Sequence, residues 1–198
     1  MKTLIEPFST SLDPLSSRLH PVGNVIKRYL SDMRHMYFDS KAEAEILESE
    51  TDRLIYEVLV VDLPEEEGQV LHCTTIIYPG HIGDEYHMTK GHFHAKRDRG
   101  ELYLGLAGEG YVLLQTDDGQ VRNVRMQPGA VVYVPPWWAH RTVNTGNGSL
   151  TFLSVWPGDA GHDYGTIEKS GFARLLVKRK GKPVFVDNPK YHQLSMTA

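Results

Sequence analysis

From residue 54 to residue 156 the chain reads as strand-length apolar runs separated by turn chemistry, and this pattern limits the fold more than any other feature. The runs cover 54–61, 70–78, 101–106, 110–116, 121–126, 130–134, 141–144 and 150–156. Between them stand Pro79-Gly80, Gly108-Glu109-Gly110, Asp117-Asp118-Gly119, Pro128-Gly129 and Gly146-Asn147-Gly148. Glycine, asparagine and aspartate tolerate positive φ and proline fixes its own, so each group reverses the chain within a few residues. Many short, evenly spaced strands imply an antiparallel sandwich or barrel. Two further strands are expected at 172–177 and 184–186, and one short helix at 39–48, where strong helix formers follow Asp39 or Ser40 as cap. The 198 residues are read as one all-β domain: an N-terminal arm over 1–35, a barrel over 54–157 and an exposed tail over 188–198.

Composition narrows the partners. A net charge of −4 and a pI near 6.2 leave no global basic surface for nucleic acid or an anionic membrane, so any anionic ligand must be held locally. Cys73 is the single cysteine, sits in an apolar run, and is expected to be a buried thiol. The first residues break their apolar run at Glu6-Pro7, and no stretch of eighteen apolar residues follows, which points to the cytoplasm.

The chemistry concentrates in "GHFHAKRDRGELY", residues 91–103. On a strand, His92 and His94 project from one face and Phe93 from the other. Glu101 lies an odd seven residues beyond His94, so the chain must reverse through the charged segment 95–100 for Glu101 to return on a neighbouring strand opposite the histidines. His140 follows a strand stopped by Pro135-Pro136 and makes a fourth donor. Three neutral imidazoles and one carboxylate suit a divalent transition metal, Fe2+, Zn2+, Mn2+, Ni2+ or Co2+, and are too nitrogen-rich for Mg2+ or Ca2+.

His92-X-His94-X6-Glu101-X6-Gly108 resembles the first cupin motif, and Gly129-X5-Pro135-X4-His140-X3-Asn144 the second, with Trp137 where the second motif usually carries glycine. The longer strings "MTKGHFHAKRDRGELY", "PGAVVYVPPWWAHRTVN" and "DAGHDYGTI" resemble the cupin-type glucose-6-phosphate isomerases of archaea and some bacteria, over roughly residues 25–190. The resemblance implies a jelly-roll barrel (a double-stranded β-helix), a homodimer, and metal-dependent interconversion of glucose 6-phosphate and fructose 6-phosphate in glycolysis or gluconeogenesis. A cis-enediol route and a hydride shift both remain open.

In that frame Glu101 is a metal ligand, a base or both. Tyr103 shares its face and is expected at the substrate. His162 and Tyr164 lie in a glycine-flanked loop, and His162 is assigned to ring opening or hydroxyl contact. The resemblance places the phosphate near Tyr56, Thr75, Thr89 and Gly91, with Lys90 adjoining, and Trp137 and Trp138 are read as packing beside His140. Two other classes use similar parts. An iron-dependent cupin dioxygenase would consume oxygen, and a non-enzymatic sugar-binding cupin would keep its affinity without metal.

Overall fold

The computed structural model describes residues 4–13, 15–49 and 51–193. In chain order the strands are Ser11–Leu12 (β1), Leu19–His20 (β2), Asn24–Tyr29 (β3), Leu54–Val60 (β4), Val70–Ile77 (β5), His81–Ile82 (β6), Glu85–Tyr86 (β7), Glu101–Ala107 (β8), Gly110–Gln115 (β9), Val121–Met126 (β10), Val131–Val134 (β11), Ala139–Asn144 (β12), Leu150–Pro157 (β13), Arg174–Arg179 (β14) and Lys182–Asp187 (β15). Helices span Ser40–Ser49 (α1) and Tyr164–Ser170 (α2), with a 3-10 turn at Leu30–Met33.

The eight expected runs from 54 to 156 all appear, with ends moved by two residues at most. They build a six-stranded sheet, β11-β8-β13-β5-β4-β3, and a three-stranded sheet, β10-β9-β12. A four-stranded sheet, β15-β14-β7-β6, covers further surface. All the strand pairings are antiparallel, as the all-β jelly-roll expectation requires.

Side-chain alternation sets the interior. On β8, Glu101, Tyr103 and Gly105 are buried while Leu102 is exposed. On β11, Val132 and Val134 point inward while Val131 and Tyr133 face out. By contrast β12 is buried at all six positions, because both of its faces are covered. The apolar core joins Ile55, Ile77, Val112, Leu113, Met126, Leu150 and Phe152 from the sheets to Leu30, Met33 and Tyr37 from the arm side. Asn144, at the end of β12, is fully buried and ties the sheets together: its amide donates to the carbonyls of Ile77 (2.8 Å) and Gly148 (2.9 Å), and its oxygen accepts from the Gly146 N–H (2.9 Å).

One expectation needs correction. Helix α2 replaces what the sequence suggested was a loop at Tyr164; its cap is Asp163, whose carboxylate accepts from the Thr166 N–H at 3.1 Å. Residues 188–193, in the expected exposed tail, are mostly exposed and are anchored by backbone bonds: Asn188 N–H donates to the Ala173 carbonyl (2.8 Å) and His192 N–H to that of Ser170 (3.0 Å). The remainder of that segment, 194–198, lies outside the described residues.

Candidate metal centre and substrate cavity

His92 and His140 face each other as a hydrogen-bonded antiparallel pair: His92 N–H donates to the His140 carbonyl (3.2 Å) and His140 N–H to that of His92 (3.0 Å). Their rings lie 4.4 Å apart between centroids. On the other edge of the same segment, Phe93 and Asp163 exchange backbone bonds of 3.2 and 2.8 Å. Glu101 is therefore not a hairpin partner of the histidines, as the sequence suggested. It opens β8, which pairs with β11 and β13, and it reaches the imidazoles from the other sheet. The reversal at 95–100 is present, but the partner of the histidine segment is β12, a pairing too distant in sequence for local turn chemistry to reveal.

The donor atoms of His92, His94, Glu101 and His140 all lie within 4.8 Å of one another. One Glu101 carboxylate oxygen sits 3.2 Å from His94 Nε2 and 3.1 Å from His140 Nε2. His94 Nδ1 is 2.9 Å from the Arg99 carbonyl, so that nitrogen carries the proton and Nε2 keeps its lone pair for the centre. The Nε2 atoms of His92 and His140 are buried with no aligned hydrogen-bond partner, and the 3.1 Å approach of His140 to Glu101 lacks hydrogen-bond geometry. Buried imidazole nitrogens without partners are costly in a finished structure, and a cation among these four donors would satisfy all of them.

Electrostatics agree. Burial alone would raise the Glu101 carboxyl, but His140 and His94 overcome it and hold the group down at about 2. Burial lowers His92 well below the usual imidazole range, with the neighbouring histidines adding to the effect, which keeps its lone pair available. For His94, burial opposes the charged form and the Glu101 contact prevails, raising it. Tyr103 is raised well above its ordinary value by burial, with the Glu101 charge next, so its hydroxyl stays protonated.

The charged segment 95–100 has a structural duty beyond turning. Lys96 and Arg99 converge on Asp159 (2.7 and 2.8 Å), and Arg97 pairs with Asp163 (2.9 Å) while its guanidinium lies 3.7 Å above the Phe93 ring. These contacts fix the carbonyl that orients His94 and the loop that presents His162. Long-range ion pairing of this kind gives no periodic signal, and the sequence reading saw only polar turn material.

A cavity of about 560 Å3 opens beside the four donors. Tyr56, Thr75, Thr89, Gly91, His92, Glu101, Tyr103, His140, His162 and Tyr164 all line it, so every expected site residue but His94 reaches its wall. His162 stacks on Tyr164 at 5.7 Å and 9°, with His92 at 4.6 and 5.1 Å from the two rings. Thr89 Oγ accepts from the Thr142 N–H (3.1 Å), which leaves its own hydrogen free. Cys73 also lines the cavity, and burial pushes its thiol up to about 12, consistent with an inert group.

Arg28 was missed. It lies on β3 opposite Tyr56 and lines the same cavity, bringing a guanidinium where Lys90 is otherwise the nearest cation expected from sequence. The arm carrying it has only weak periodicity, too little to place it. Trp137 does not pack as expected: it is 59% exposed, whereas Trp138 is half-buried against the core. Its φ of +73° explains why the position commonly holds glycine.

Residues 27–193 match the family described as glucose-6-phosphate isomerase (GPI). The chain belongs to this family. The glucose-6-phosphate isomerase of Pyrococcus horikoshii is 47% identical over 186 residues, covering 94% of this chain and 97% of that one. The Thermococcus litoralis isomerase is 46% identical over the same shares. A bacterial member of the family, from Sinorhizobium medicae, is 34% identical over 195 residues, covering 98% of this chain and 91% of its own. Family membership thus agrees with the resemblance carried by the histidine and glutamate strings.

Proposed function

We propose that the chain interconverts glucose 6-phosphate and fructose 6-phosphate, with one divalent transition metal, Fe2+ first among the candidates, held by His92, His94, Glu101 and His140. The observation that carries the reading is the meeting of four buried donors at the wall of a cavity of about 560 Å3, in a chain of the isomerase family. That volume lies within the range of small-ligand sites. A metal at these donors supplies Lewis-acid polarisation of two adjacent sugar oxygens.

The remaining work falls to side chains. Aldose–ketose exchange moves one hydrogen between neighbouring carbons, and Glu101 is the acceptor and donor of that proton in a cis-enediol route. The neighbouring imidazoles hold its carboxyl low, so Glu101 is ionised near neutral pH and has a lone pair to accept that proton. Tyr103, kept protonated, donates to a sugar hydroxyl. His162 and Tyr164 form a stacked pair at the cavity wall suited to ring opening and hydroxyl contact. The phosphate is received by the hydroxyls of Tyr56, Thr75 and Thr89 and the backbone at Gly91, with Arg28 and Lys90 supplying charge.

We further read the chain as a cytoplasmic homodimer serving glycolysis or gluconeogenesis. The dimer is supported by an apolar patch at the sheet edge, where Val131 (63% exposed), Tyr133 (61%) and Leu102 (41%) lie together on β11 and β8. A coupled assay of the purified protein with glucose 6-phosphate tests the activity. Glu101→Gln is expected to reduce kcat at least a hundredfold on the scale of general acid–base catalysis, with the fold retained. Full activity in that variant would remove Glu101 from the chemistry.

A further inference from the structure

Strand β12 is a partition. His140 faces the cavity described above, and Arg141, the next residue, lines a second cavity of about 490 Å3 together with Arg34, His35, Lys90, Lys169 and Lys190. Two acids, Asp32 and Glu168, share that wall, so its five arginine and lysine side chains outnumber its carboxylates. Lys90 alone among these cations lines both cavities.

Arg141 is the decisive group. Its residue is only 4% exposed, its guanidinium lies 4.5 Å above the Phe172 ring, and its Nε and Nη2 donate to the Lys90 carbonyl at 3.2 and 2.7 Å. Among the described residues no carboxylate lies within ion-pair distance of it. Glu85 is the charge partner that acts on it from further off, and burial raises that carboxyl to about 7, which removes part of its charge near neutrality. A buried guanidinium with no carboxylate in ion-pair contact is unfavourable, and one facing a cation-rich cavity calls for an anion from solution.

We propose that this second cavity binds a small phosphorylated or otherwise polyanionic metabolite, which acts as an effector of the first. The coupling runs through residues 89–92. Arg141 grips the Lys90 carbonyl, Gly91 packs against Arg141 and Phe172, and His92 follows directly. An anion that draws Lys90 and Arg141 toward the second cavity takes positive charge from the first, and so weakens sugar-phosphate binding there.

Two arms test binding by readouts other than turnover, with kcat/KM entering only as a control. Selenate soaked into crystals should give an anomalous peak beside Arg141, and calorimetric titration of the metal-loaded chain with inorganic phosphate should show two binding events. In Arg34→Glu/Lys169→Glu, both exposed positions outside the first cavity, the second event should weaken at least tenfold while metal content and anion-free kcat/KM stay unchanged. If that variant folds poorly by circular dichroism, Arg34→Gln/Lys169→Gln serves with the same expectation. A peak confined to the His140 cavity, or equal phosphate binding by parent and variant, overturns the site. A third arm rests on the isomerase reading: phosphate should raise the sugar-phosphate KM more in the parent than in the variant, and an equal rise in both overturns the coupling alone.

Discussion

Replacing Gly91 with alanine should loosen the metal centre from behind. Gly91 has φ +74°, a region costing a non-glycine residue about 1–2 kcal/mol. A Cβ built there would stand 2.7 Å from Phe172 Cε2, 3.0 Å from Arg141 Cβ and 3.1 Å from the His140 carbonyl oxygen. Phe172 and Arg141 are both buried and stacked on each other, so neither yields easily, and overpacking of this kind costs about 1–3 kcal/mol. Together Gly91→Ala should lose about 2–5 kcal/mol of unfolding free energy. The strain falls on the backbone pair that holds His92 opposite His140, so metal affinity should fall with stability. Denaturant titration of the metal-free proteins measures the first quantity, and competition with a chromogenic chelator the second. Parental values for both would refute the reasoning that the left-handed turn at Gly91 sets the donor geometry.

Other expectations follow from single contacts. Asn144→Ala removes three hydrogen bonds, one of them fully buried, and leaves the Ile77 carbonyl unsatisfied, so guanidinium titration should show a loss of roughly 2–3 kcal/mol. Glu85, 4% exposed, is raised by burial to about 7, above its unfolded value; the folded state therefore binds the extra proton, and stability should fall as pH rises from about 4.5 through 7. Glu85→Gln should flatten that part of the pH–stability curve and exceed the parent by something on the order of 3 kcal/mol above it, and an unchanged curve would contradict the assignment. Trp137→Gly should match or exceed parental stability by about 1 kcal/mol, since it relieves a positive φ at an exposed side chain; thermal melts will show it.

Much of this was legible in the sequence because its signals are local. Period-two alternation and Gly/Pro turns located the strands, and β10 falls on its expected limits at 121 and 126. The metal donors were legible as residue types at short spacing. Which strand lies beside which was not: Glu101 was expected across a hairpin, yet His140 is the neighbour of His92, a pairing of residues 48 apart. Helix α2 was hidden because seven residues make a weak helical signal, although Asp163 as cap and Gly171 as stop were both available. Arg28 escaped for a related reason, since only the register of β3 against β4 places it beside Tyr56. Arg141 gave no hint either, because strand alternation alone would not show that both faces of β12 are covered.

The central claim is that four convergent donors hold a metal on which isomerisation depends. Glucose 6-phosphate turnover should therefore be followed as the purified protein is stripped with chelator and then titrated with Fe2+, Zn2+, Mn2+, Ni2+ or Co2+. Activity should fall to background on stripping, return in proportion to bound metal up to one ion per chain, and fail to return in His140→Ala. Metal-free protein that converts the sugar at the parental rate, or a His140→Ala protein restored to it, would contradict the account.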